Sequence, residues 1–322
     1  MTENVERYQV FIYVAAAVLG AAAGLTAPNA VGWIEALVWP ALALLLYATF
    51  CQVRVAEAVR AFNHGRFFAA SLVANFLLVP LLVWALSTLL LPDPAVRLGV
   101  LLVLLVPCTD WFVTFTHLGG GDSRLATAVV PVQLLIQFLA LPLYLWVILG
   151  REFVGAVAVG PFLQVFTGLI VAPFALAALT RHMADRSPLG ADWLRVTSRL
   201  PIPLLALVIL LVAGSQAPGL GGALGALGWA AVVFVVYVLV AAPLGRVVAG
   251  AFRLEVGAGR TLAFNVGTRN SFVVLPLALA LPAGWEAAAA AIVLQSVIEL
   301  AGLIGYLRVV PGWLLRAPAG KP

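Results

Sequence analysis

The sequence predicts an all-α integral membrane protein of ten transmembrane helices, arranged as two inverted five-helix repeats. Three observations lead there. Hydrophobic residues make up 64% of the 322 and charged residues only 10%, whereas soluble domains carry about 25% charged residues and build a polar shell from them. Apolar runs of about 20 residues, enough to cross a bilayer, recur along the chain. The basic residues collect on one side of the topology those runs define.

The runs fall at 8–26, 32–52, 68–91, 96–118, 123–149, 153–180, 200–216, 223–249, 260–281 and 286–308. The first contains the small-residue stretch Ala21-Ala22-Ala23 but is preceded by Glu3 and Glu6 against one Arg7. That is a poor signal-peptide n-region, so it reads as a retained span. Gly150-Arg151-Glu152 makes the polar turn between spans five and six and divides the chain into repeats 1–150 and 151–322.

With the N-terminus on one side, 15 of the 18 basic residues fall on that side and two, Arg97 and Arg151, on the other. Arg269 lies inside span nine. Such a bias marks the cytoplasmic face, so both termini are expected there, in a multi-pass protein of the cell membrane. The net charge of +5 therefore reports topology. It does not indicate nucleic acid, because no aromatic-basic interleaving accompanies it. Cys51 and Cys108 form no CxxC pair and His64, His117 and His182 are scattered. No disulfide framework, metal site or cofactor is expected.

Span four holds Thr109-Asp110-Trp111-Phe112-Val113, and span nine holds Thr268-Arg269-Asn270-Ser271-Phe272-Val273. Each sets a threonine and then a charge in mid-span. Five helices per repeat is odd, so the second repeat enters the membrane from the opposite face, as in many secondary transporters. Pro107 removes a backbone donor from span four, and Gly119-Gly120-Gly121-Asp122 beyond it reads as a flexible break. Gly267 and Pro276 flank the matching stretch of span nine. Two interrupted helices in corresponding positions point to a transport site.

Cys108, Thr109, Asp110, Asn265, Thr268, Arg269, Asn270 and Ser271 are therefore the candidate solute- and ion-binding residues. A charge at the bilayer centre costs about 2.5–3.5 kcal/mol on insertion scales. Asp110 and Arg269 are thus expected to pair, with a purely structural bridge as the plainer alternative. Asp110 and Glu299 are candidate proton carriers. Gln133 and Gln137, one turn apart, with Asn75 and Gln295, are candidate cavity-lining residues or, more plainly, helix–helix hydrogen bonds. Cys108 reads either as a soft ligand for a thiophilic solute or as a small buried residue.

Pro107-Cys108-Thr109, the Gly121-Asp122 turn and Asn265-Val266-Gly267-Thr268-Arg269-Asn270-Ser271 resemble the bile acid:sodium symporter superfamily, in particular its arsenite-permease-like bacterial members, the arsenic resistance proteins. The resemblance implies a core domain of spans 3–5 and 8–10 and a panel domain of spans 1, 2, 6 and 7. Broken helices four and nine would cross in the core, and alternating access would come from core moving against panel. It also exposes departures. Positions that carry sodium ligands in the sodium-coupled branch are Phe112, Val113, Ala126, Val130, Asn265 and Arg269 here. The cysteine of the arsenite branch is matched by Cys108, but its span-nine glutamate falls at Phe272.

The expected function is sodium-independent secondary transport, most directly arsenite efflux exchanged for protons. The alternative is transport of a small organic or inorganic anion bound by Arg269. A receptor or scaffold gains little from broken, charged, symmetric helices. An enzyme is not expected, because no nucleophile–base or metal constellation is visible.

Overall fold

The computed structural model describes residues 2–52, 64–108, 111–150, 164, 167–218 and 224–316. They are helical almost throughout. α1 (Thr2–Thr26) and α2 (Val31–Phe50) are joined by the single turn Pro28–Ala30. α3 (Gly65–Leu90) contains a wider π turn at Ala74–Leu78. α4 (Pro94–Leu104) and α5 (Trp111–Leu118) are two halves of one interrupted helix, followed by α6 (Ser123–Leu149). α7 (Thr167–Ala184) leads to α8 (Pro188–Thr197) and α9 (Pro201–Gln216), which are bent 44° from each other. α10 (Leu224–Ala251) precedes a second interrupted pair, α11 (Val256–Gly267) and α12 (Ser271–Leu279), and α13 (Glu286–Leu314) follows.

Six helices are long and apolar enough to cross a membrane alone: α2, α3, α6, α7, α10 and α13. The bent pair α8–α9 supplies up to one more, while Phe11–Thr26 and Pro94–Leu104 are apolar but shorter. Leu89, Leu139 and Val147 are among many large apolar side chains left exposed. A soluble monomer avoids such surface; lipid-facing helices require it. The chain is a multi-pass membrane protein.

Local chemistry fixes several helix ends. Asp93 caps α4 by accepting from the Val96 amide at 2.9 Å, with Pro94 at the first turn, where a missing N–H costs nothing. Asp122 caps α6 through the Arg124 and Leu125 amides. The glycine run before it forms a hydrogen-bonded turn. Gly120 adopts a left-handed φ of 66°, Gly121 donates back to Thr116, and Asp122 donates to Thr261 Oγ1 at 2.7 Å. The turn is thus tied to the start of α11, because its polar groups need partners that no helix provides.

Two sets of helices pack mainly within themselves. α1 runs along α9, α9 against α2, and α7 against α2 and α8. In the other set, α10 packs along α11 and α13, α13 against α4 and α12, and α3, α5 and α6 close around α11. Between the sets, α1 and α9 touch α13, and α2 touches α12. Gly99 lets α4 lie directly on α13. A Cβ there would come within 2.7 Å of Ala288 Cα and closer still to its carbonyl oxygen.

Candidate functional site

α4 stops at Leu104, three residues before Pro107. The pyrrolidine ring has no N–H and clashes with the carbonyl four residues back. In the second interruption no proline precedes the break, and Pro276 sits inside the continuing helix α12. The two unwound stretches meet each other. Pro107 and Arg269 form an antiparallel bridge. Cys108 donates its amide to the Thr268 carbonyl at 3.2 Å, and Asn270 donates to the Val106 carbonyl at 2.8 Å. Each chain supplies backbone partners that the other lost on leaving the helix, as apolar depth demands. The two interruptions therefore meet at one point, called the crossing below.

Arg269 is 2% exposed, and its guanidinium is wrapped by oxygens. Nη2 donates to Asn75 Oδ1 at 2.7 Å, to the Val266 carbonyl at 2.7 Å and to the Asn265 carbonyl at 3.1 Å. Nη1 donates to the Leu104 carbonyl at 3.4 Å. The cation also lies 5.5 Å from the centre of the Tyr237 ring, an attractive placement over a π face. The Tyr237 hydroxyl donates to the Val266 carbonyl at 2.6 Å.

Asn75 joins this cation to a cluster of neutral amides. It lies on the π turn of α3, a geometry that re-aims side chains within a helix. Asn265 Oδ1 accepts from Asn75 Nδ2, Ser71 Oγ and Gln133 Nε2 at 2.6–2.8 Å. Asn265 Nδ2 returns a bond to Gln133 Oε1 at 3.0 Å. Gln137, one turn beyond Gln133, is equally buried, yet neither amide atom is hydrogen-bonded.

On the other side stands Glu299, 1% exposed. Its Oε2 accepts the backbone amide of Arg269 at 2.8 Å and Gln295 Nε2 at 2.5 Å; Oε1 has no hydrogen bond. Gln295 Oε1 accepts from Ser271 Oγ at 2.5 Å. Thr268 Oγ1 donates to the Phe264 carbonyl, and Asn270 Oδ1 caps α12 through the Val273 amide. Cys108 is buried beside the crossing. Thr109 and Asp110 lie outside the described residues, and with them the pairing of Asp110 with Arg269.

Next to the crossing, a small apolar cavity lies between the two helix sets. Tyr13 of α1 stacks on Trp111 at 5.9 Å, and Trp111 meets Phe272 edge-on at 5.9 Å. Ile292, Ser296 and Leu300 of α13 complete the wall. Among the described residues no group of histidine, cysteine and acidic side chains could hold a metal ion.

The model of the Sodium Bile acid symporter family matches residues 39–219, more than half of the chain. The chain belongs to this family. It is therefore a membrane transporter of solutes. The matched segment holds the first crossing stretch, with Pro107 and Cys108, while Arg269 and Glu299 lie beyond it. No individual curated protein matches the chain.

Asn75, Gln133, Asn265, Thr268, Arg269, Ser271, Gln295 and Glu299 are legible as candidates in the sequence, and the fold brings them into one hydrogen-bonded region. Ser71, Tyr237 and the aromatic pair Tyr13 and Trp111 are not among them. Ser71 carries a signal, since it precedes Asn75 by four residues on one helix face. The aromatics carry none, because an aromatic inside an apolar run reads as packing or lipid contact.

Proposed function

We propose that the chain is a sodium-independent secondary transporter that exports arsenite by alternating access, in exchange for protons. Its frame would be ten spans in two inverted repeats with both termini cytoplasmic. The set α3–α6 with α10–α13 would act as core and the set α1, α2 and α7–α9 as panel. The observation that carries sodium independence is the Arg269 guanidinium. It supplies a fixed positive charge at the crossing, where three oxygens already surround Nη2 at 2.7–3.1 Å. A mobile cation there would meet a resident charge, and like charges repel strongly at low dielectric.

Cys108 supports the choice of solute. Trivalent arsenic is thiophilic, and a single thiol permits transient contact without trapping. The solute is uncharged at neutral pH, which suits a site whose one described cation already holds three oxygens at Nη2. A second reading, an organic anion, draws on the aromatic wall of Tyr13, Trp111 and Phe272. It needs a positive group for the anion, and Arg269 has already committed its Nη2 protons.

The test is expression in arsenic-sensitive cells that lack their own exporters, with intracellular arsenite measured beside Cys108→Ser. Wild type is expected to lower accumulation and the mutant to lose that protection. Failure of the wild type overturns the arsenite reading. Equal protection by the mutant removes Cys108 from it. In liposomes, replacing sodium by choline is expected to leave transport unchanged; a dependence on the sodium gradient overturns the role given to Arg269.

A further inference from the structure

We propose that Glu299 is the proton-binding group of the transport cycle, releasing its proton into the cavity between the two helix sets and regaining it on return. This deepens the proton-exchange reading above and rests on it.

Three observations on the described residues converge on this side chain. It is the one carboxyl group buried from solvent. One of its oxygens, Oε1, lies in the interior with no hydrogen bond. Burying an ionised oxygen without a donor is expensive, and a proton removes that cost. The other oxygen is bound to the crossing itself, through the Arg269 amide at 2.8 Å. In the bridge between the unwound chains, the neighbouring amides of Cys108 and Asn270 pair across it. The Arg269 amide instead turns to Glu299.

A change of charge on Glu299 would thus act on the backbone that ties α4–α5 to α11–α12. Ionisation strengthens the bond from the Arg269 amide; protonation weakens it. An exit is adjacent. Ser296 and Leu300 flank Glu299 on α13, and both line the apolar cavity. Separation of the two helix sets at this cavity admits water to the carboxyl. The O–H bond then breaks, the proton passes to water, and the carboxylate stays behind opposite the fixed charge of Arg269.

Among the described residues, the titratable groups around Glu299 are few. The crossing contributes Arg269 and the Cys108 thiol, α10 contributes Tyr237, and α13 itself contributes Tyr306. α1 brings Tyr13. α4 brings only Arg97 at its outer end, α11 only Arg260 at its inner end and α5 only His117 at its last turn, while α9 and α12 bring none.

The plainer role for Glu299 is a fixed cap on the Arg269 amide. Glu299→Gln separates the two, since an amide oxygen still accepts that bond but cannot titrate. The substrate-free arm uses infrared difference spectra of the purified full chain in proteoliposomes between mildly acidic and mildly alkaline pH. A carboxyl C=O band that titrates in the wild type and is lost in Glu299→Gln is expected; a band unchanged in the mutant overturns the proposal. Should Glu299→Gln fail to fold, Gln295→Leu removes a hydrogen bond to the same carboxyl. The band is then expected to shift in frequency, and an unshifted band overturns the assignment. The transport arm uses arsenite as probe. Glu299→Gln is expected to lose accumulation driven by a pH gradient while keeping arsenite counterflow; retained pH-driven accumulation overturns the proposal. A wild type that moves no arsenite but shows the titrating band sinks the arsenite reading and leaves the proton site standing.

Discussion

Arg269 places a fixed positive charge where the two unwound stretches meet. Its peptide group belongs to the crossing, and its guanidinium gathers the oxygens of Asn75, Asn265 and Val266. Hydrogen bonds to charged groups contribute about 1.5–3 kcal/mol each. Arg269→Gln is therefore expected to lower unfolding free energy by about that amount or more, measured by thermal or denaturant unfolding in detergent. Arg269→Lys should also destabilise, because a single ammonium cannot reach Leu104 and the Asn75 cluster from one planar fork. Asn265→Leu removes the acceptor shared by Ser71, Asn75 and Gln133. Unsatisfied buried donors cost about 1–3 kcal/mol each, so a loss at the upper end of that range is expected in the same assay.

At the scale of elements, proline by itself does not explain where helices break, although Pro107 contributes to the end of α4. α6 continues through Pro131 and Pro142, α10 through Pro243 and α2 through Pro40. The chain leaves the helix at 105–108 and 268–270 because each stretch offers the other a backbone partner, with Glu299 completing the set. A proline loosens a helix; only an alternative acceptor lets it open inside a membrane. The halves must also be held still. Gly99 seats α4 against the Ala288 backbone, so Gly99→Ala forces the two helices apart. Overpacking of this kind costs about 1–3 kcal/mol, and a lower unfolding temperature is expected. Gly228→Ala, with open space around its site on α10, serves as the control and should be neutral or slightly stabilising in the same measurement.

For the whole molecule, the proposed cycle requires the two helix sets to move relative to each other across the cavity. Tyr13 and Trp111 face each other over it, 5.9 Å apart. Cysteines at both positions, bridged by a thiol-specific cross-linker, are expected to abolish transport until the bridge is cleaved. Bridging Phe50 and Phe174, which pack within one set at 5.5 Å, should leave transport intact. Solute flux measured before and after cleavage distinguishes the two. Equal inhibition by both bridges would argue against relative motion at the cavity.

Membrane class was written in the sequence because it depends on local quantities, namely the length of apolar runs and the scarcity of charge. Arg269 and Glu299 were legible as buried charges for that reason too, since an apolar run leaves a charge nowhere to hide. Their partners were not. Cys108 and Thr268, or Asn75 and Arg269, meet across more than 150 residues of chain, and no periodicity encodes that meeting. Gln133 and Gln137 look alike in sequence, yet only Gln133 finds Asn265. Composition and run length alone make this a many-spanning membrane protein with charges inside its apolar runs. The tertiary structure alone decided that Arg269 spends its charge on carbonyl and amide oxygens while Glu299 grips its backbone, because hydrogen-bond partners in a dry interior are chosen by packing.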